Sequence, residues 1–146
     1  MSKQGTKPTA IVIRAIGFAM SRHLGQLYDD GRPFIEHPLQ VYDILTEVTN
    51  DPNLLAAALL HDTIEDTPTT YKELVQTFNT DIADLVMEVT KEGAKKTGYY
   101  FPRLHSKRGI QLKFADRLAN ISNMEPWDAK RQAHYLKKSK FWKSEV

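Results

Sequence analysis

The sequence contains no cysteine. That excludes disulfides, thiolate metal sites and cysteine nucleophiles, and it removes any argument for an oxidising compartment, so a cytoplasmic protein is expected. Long apolar runs are missing too. The stretch 10–20 is interrupted by Arg14 and falls short of the roughly 20 residues a membrane span needs, so neither signal nor anchor is expected and no membrane partner. Charge of one sign is not in excess: 20 Lys and Arg stand against 18 Asp and Glu, and a net +2 is too small to imply a nucleic-acid partner. Alternating apolar and polar runs of strand length, internal repeats and low-complexity tracts are all absent. What remains is 146 residues, 41% hydrophobic and 26% charged, the balance of one globular unit, so residues 1–146 are read as a single domain.

Apolar residues recur at three- and four-residue spacing through most of the chain, which predicts an all-α fold. A first helix is expected over about 9–28, with Ile11, Ala15, Phe18 and Arg22 following one another around it, and the run Asp29-Asp30-Gly31-Arg32-Pro33 ending it. Pro38 suits the first turn of a second helix with Val41, Leu45 and Val48 inward, leaving His37 just before its start. Asp51-Pro52 opens a third helix whose body, 54–60, is apolar on all sides and therefore belongs in the centre. Thr70 with Glu73 forms a capping-box pattern for a short helix ending near Phe78, and Ile82, Leu85, Val86 and Val89 define another. The segment 93–106 shows no helical period. A long helix resumes near Lys107, expected to bury Ile110, Phe114, Leu118 and Ile121, and Pro126 would open a last helix through Trp127 to about Phe141.

The stretch Leu59-Leu60-His61-Asp62-Thr63-Ile64-Glu65-Asp66-Thr67 breaks this pattern, because an apolar central helix abruptly presents four ionisable groups. Carboxylates beside so much aliphatic surface are costly unless paired or bound to a cation. His61 and Glu65 are expected one helical turn apart, as are Asp62 and Asp66, so four polar groups should project from adjoining faces of the end of one helix. The same anomaly recurs where Asp116 and Asn120 sit one turn apart on a core-forming helix. His37, at a helix entrance, completes a possible set of two imidazoles and two carboxylates. Nitrogen and oxygen donors without sulfur suit manganese, iron or zinc better than calcium.

Three stretches together, Gly31-Arg32-Pro33-Phe34-Ile35-Glu36-His37-Pro38, Ala58-Leu59-Leu60-His61-Asp62-Thr63-Ile64-Glu65-Asp66-Thr67 and Lys113-Phe114-Ala115-Asp116-Arg117-Leu118-Ala119-Asn120, resemble the hydrolase domain of the Rel/SpoT alarmone enzymes and their small stand-alone relatives. The likeness covers roughly 15–125. It implies an HD-domain helical bundle, a metal-dependent phosphohydrolase, and His37, His61, Asp62 and Asp116 as ligands of one divalent ion, typically manganese. It also implies Glu65 and Asp66 as the acidic pair that positions and deprotonates the attacking water. Asn120 matches a nucleotide contact, and Lys113 and Arg117, on either side of Asp116, are read with it as substrate-binding.

One position departs from the family. Where a basic residue usually stands, nine places before the first metal histidine, this chain has Tyr28, which could stack on a base but brings no cation. No synthetase module is expected, so any alarmone activity is expected to be degradative. The segment 91–108 holds six Lys or Arg and a single acidic residue, Glu92, around Tyr99, Tyr100 and Phe101, and reads as a lip for an anionic substrate. The leading expectation is removal of the 3′-diphosphate from a ppGpp-type nucleotide. The alternatives are an HD phosphohydrolase acting on a deoxynucleoside monophosphate, NADPH or a cyclic nucleotide, and a nucleotide-binding module without turnover. The residues leave the oligomeric state open.

Overall fold

The computed structural model describes residues 9–94, 96, 98–123 and 128–138. Helices α1 (Ala10–Arg22), α2 (Glu36–Thr46), α3 (Pro52–Leu60), α4 (Thr63–Asp66), α5 (Tyr71–Thr77), α6 (Thr80–Glu88), α7 (Lys107–Ser122) and α8 (Ala129–Lys138) carry the fold. One small hairpin, β1 (Glu92–Ala94) with β2 (Gly98–Tyr100), interrupts them. Among the described residues the fold is all-α apart from that hairpin.

The centre is α3. Asp51 accepts hydrogen bonds from the Asn53 and Leu54 N–H groups, Pro52 fits the first turn, and every residue from Leu54 to Leu60 is buried. A helix without a polar face has to be surrounded, and α1, α2, α6 and α7 all pack against it. The cap expected at Thr70 forms, with its side chain accepting from Glu73 N–H at 3.1 Å. The reciprocal half does not form, because Glu73 turns to Arg22 instead, whose Nη1 donates to Oε1 at 2.9 Å.

Several sequence expectations give way to packing. Helix α1 ends at Arg22, six residues before Tyr28: His23 caps it, and Gly25 follows with φ +87°, a left-handed conformation that suits glycine and stops the helix. Its buried stripe is Val12, Ala15 and Ala19, with Ile11 and Phe18 only partly covered. Helix α2 stops at Thr46, leaving Val48 exposed, and His37 lies inside its first turn rather than before it.

The largest correction is the face of α7. Ile110, Phe114, Leu118 and Ile121 are exposed, while Leu112, Lys113, Ala115, Asp116 and Ala119 are buried. Small side chains at 115 and 119 permit a close approach to α2, which a stripe of bulky residues would prevent. At the start of the helix Gly109 serves the same end: a Cβ there would lie 2.1 Å from Glu88 Oε1. Pro126, Trp127 and Phe141, expected to delimit the last helix, lie outside the described residues; α8 itself spans Ala129–Lys138.

Candidate metal centre

Four side chains from separate elements converge where α2, α3, α4 and α7 meet. His37 enters from the first turn of α2 and His61 is the C-cap of α3. Asp62 is the N-cap of α4, and Asp116 sits midway along α7. The helix break at 61–62 is itself a departure from a continuous helix carrying His61, Asp62, Glu65 and Asp66. Interrupting the helix frees the imidazole and carboxylate to turn inward together rather than point away at 100° intervals.

The geometry is close. Asp116 Oδ1 lies 2.8 Å from His37 Nε2 and 3.2 Å from His61 Nε2. Asp62 Oδ2 lies 3.1 Å from His61 Nε2 and 3.5 Å from His37 Nε2. The two Nε2 atoms are 3.2 Å apart, and one donor atom from each of the four residues falls within 4.8 Å of all the others.

His61 shows what this cluster needs. Its Nδ1–H donates to Ala58 O at 2.7 Å, which fixes the tautomer and turns the Nε2 lone pair of a neutral ring toward the two carboxylates. Lone pairs facing lone pairs at such distances repel unless a proton or a metal cation sits among them. Burial disfavours charge on His61, yet Asp62 and Asp116 outweigh it and hold the imidazole well above its ordinary pKa. Burial likewise disfavours a charge on Asp116, but Lys113 and the imidazoles outweigh that and hold its carboxyl well below the usual range. The donors are all nitrogen and oxygen, and the field is arranged for positive charge, so the residues fit a divalent ion.

The surrounding residues sort into distinct neighbourhoods. Glu65 Oε2 accepts from the Lys91 N–H at 2.7 Å, and burial together with the Asp62 charge raises its pKa above the ordinary value. Asp66 is more exposed, and its backbone carbonyl accepts from Gln26 Nε2 at 3.1 Å. Lys113 is buried with Nζ donating to Asp116 Oδ2 at 3.1 Å. Arg117 lies beyond it, its guanidinium 5.7 Å from the Phe101 ring.

Tyr28 and Asn120 meet elsewhere, in a cavity of about 380 Å³ whose lining includes Arg32, Phe34 and Asn123. Lys113 and Arg117 do not line it. Burial pushes the Tyr28 hydroxyl up to about 12, and its Oη has no hydrogen-bond partner. A cation does lie beside Tyr28: the Arg32 guanidinium sits 4.8 Å over the ring, donates to Asn123 Oδ1 at 3.1 Å and pairs with Asp30 at 2.8 Å. Phe34 bridges the two regions, its ring 5.7 Å from that of Tyr28 and 5.6 Å from that of His37.

The basic segment is more committed than its composition suggests. Arg103 is pinned to Met87 O, Thr90 O and Glu92, and Arg108 to Asp51 and Asp81. Lys91 lies 4.4 Å over the Tyr99 ring, and Phe101 covers Lys113 rather than an open subsite. Arg32 and the Lys91 N–H are neighbours of the site that sequence reasoning did not single out, whereas Phe101 belonged to the segment read as a lip. Nothing in the sequence marks a loop N–H such as that of Lys91. Lys113, by contrast, announces itself as a lysine three residues from Asp116 on one helix.

A family model described as an HD domain matches residues 15–99. The chain is also 34% identical over 155 residues to the zebrafish guanosine-3′,5′-bis(diphosphate) 3′-pyrophosphohydrolase MESH1, covering 94% of this chain and 83% of that protein. The chain belongs to the HD-domain family. A second relative, the guanosine-3′,5′-bis(diphosphate) 3′-pyrophosphohydrolase of Aquifex aeolicus, is 40% identical over 120 residues. It covers 76% of this chain, but the chain spans only 17% of that much longer protein. Among solved structures, a metazoan SpoT ortholog described as hydrolysing ppGpp has the same fold, with a TM-score of 0.81 and 27% identity over 93% of this chain and 85% of its own. The family match stops before Asp116, so it is the fold that brings this fourth group to the HD-domain cluster.

Proposed function

We propose that this HD-domain protein is a metal-dependent phosphohydrolase that removes the 3′-diphosphate from a ppGpp-type nucleotide, using water and releasing GDP and pyrophosphate. The observation that carries the reading is the cluster of four electron-rich atoms from His37, His61, Asp62 and Asp116, with Glu65 close by on the next turn of chain. The names of the relatives point the same way. In this reading those four residues hold one divalent ion, which we take to be manganese on the nitrogen and oxygen donor set. The ion's chemistry, when bound, is to acidify water and neutralise phosphoryl charge.

The chain's own residues do the rest. Glu65, oriented by the Lys91 N–H and made a better proton acceptor by burial and Asp62, takes the proton of the attacking water. Asp66 orients that water from the more exposed side. Tyr28, Arg32 and Asn120 receive the base in the cavity they share. In this reading Arg117 meets phosphate oxygens. The lack of cysteine accords with action in the cytoplasm.

A second reading, with another nucleotide as substrate, rests on Tyr28 in place of a basic residue. Metal-stripped protein reconstituted with manganese and assayed on ppGpp, a deoxynucleoside monophosphate, NADPH and a cyclic nucleotide separates the possibilities. Formation of GDP and pyrophosphate, lost in Asp62→Ala, is the expected result. Turnover of the other nucleotides alone would favour the second reading, and tight ppGpp binding without product would point to a binding module.

A further inference from the structure

Asp116 divides its two oxygens between two neighbourhoods. Oδ1 faces the imidazoles of His37 and His61, whereas Oδ2 accepts from Lys113 Nζ at 3.1 Å. Lys113 is 5% exposed. Its ammonium has the carboxylate on one side and, on another, the Phe101 ring with its centroid 3.7 Å away, a cation–π contact delivered by the chain just after β2. A buried ammonium at this position opposes the binding of another cation, because like charges repel strongly where water is excluded. It also carries a desolvation penalty that a neutral side chain of similar size would avoid. Its placement calls for a role that its charge and hydrogen bond both serve.

Resting on the metal-hydrolase reading above, we propose that Lys113, braced by Phe101, holds Asp116 to a single ligating oxygen and so keeps coordination positions on the divalent cation open to substrate and water. A carboxylate can grip a cation through one oxygen or through both, and a catalytic site needs an open position where a structural site does not. With Oδ2 bonded to Lys113, the two-oxygen grip is closed off. Lys113 is then a positioning residue rather than a substrate contact, and Phe101 acts through it. The hairpin segment, read from sequence as a lip, thereby contributes to the metal centre from behind.

The test compares wild type with Lys113→Met, Phe101→Leu and Phe101→Tyr, measuring manganese affinity of the stripped proteins, the visible spectrum of the cobalt-loaded forms, and kcat and KM on ppGpp. Lys113→Met should bind manganese roughly tenfold more tightly, having lost a charge that repels the cation at close range and freed a second carboxylate oxygen. Its cobalt bands should weaken as the coordination number rises, and kcat should fall with KM little changed. Phe101→Leu should move the same quantities in the same direction by less, and Phe101→Tyr should behave as wild type. Unchanged affinity and spectrum in Lys113→Met with a raised KM would make Lys113 a substrate contact and overturn the proposal, as would weakened manganese binding. Should Lys113→Met fail to fold, Phe101→Leu decides alone. The underlying hydrolase reading fails by a different sign: wild type that binds no divalent ion, or an affinity indifferent to His61→Ala.

Discussion

The Lys91 N–H donates to Glu65 Oε2 at 2.7 Å, joining the start of the hairpin to the short helix beside the metal centre across 26 residues of chain. A main-chain donor cannot swing away as a side chain can, so it fixes the carboxylate, while the Lys91 ammonium lies 3.8 Å from the other oxygen, Oε1. Glu65 also carries a pKa raised by burial and by the Asp62 charge, the condition of a proton acceptor rather than of a metal ligand.

Separation of binding from turnover follows. Glu65→Ala should retain divalent metal and lose activity by about 10²- to 10⁴-fold, the usual contribution of a positioned acid or base. His61→Ala should lose metal and activity together. Metal analysis of the two purified variants alongside ppGpp turnover checks both, and full activity in either contradicts the assigned role.

The cavity makes a different prediction. Arg32 lines it and covers the Tyr28 ring without touching the metal cluster. Arg32→Met should therefore raise KM for the nucleotide by about tenfold while leaving kcat nearly unchanged, the pattern of an interaction made equally in ground and transition states. Steady-state kinetics with ppGpp distinguishes this from a fall in kcat.

Stability at acid pH should depend on Glu88. This carboxylate accepts from His105 N–H at 3.1 Å, Ser106 N–H at 2.9 Å and Ser106 Oγ at 2.7 Å, anchoring the N-terminus of α7. Burial opposes its charge, but these donors outweigh it and lower its pKa below the ordinary 4.5. A folded-state pKa below the unfolded value means the stabilisation is complete above that value and is lost as pH falls through the folded one. Urea unfolding should show Glu88→Gln less stable than wild type at pH 7 by about 1–3 kcal/mol. The gap should close on acidification below pH 4.5.

The orientation of α7 can be tested by truncation. Leu112 is fully buried and Leu118 is 52% exposed. Leu112→Ala should cost about 2–5 kcal/mol, and Leu118→Ala should stay within roughly 0.5 kcal/mol. Equal losses at the two positions would mean that the bulky stripe is covered after all.

Local chemistry made much of this protein legible from its sequence. The all-apolar run 54–60 could only be central, Asp51-Pro52 could only begin a helix, and Thr70 caps α5 through a hydrogen bond spanning three residues. The misplaced ionisable groups at 61–66 and at 116 marked the site because burying them alone is unfavourable. Tertiary structure decided which face of α7 turned inward, where α1 and α3 stopped, and which groups Arg32, Lys91, Phe101 and Lys113 would meet. Hydrophobicity favoured Ile110, Phe114, Leu118 and Ile121, yet the helix packs through Leu112, Ala115 and Ala119, because small residues allow close approach and Asp116 must reach two imidazoles from 55 and 79 residues away in the chain. Capping and periodicity act within a few residues and can be read along the chain, whereas the balance of steric fit and charge at the centre exists only once distant segments are brought together.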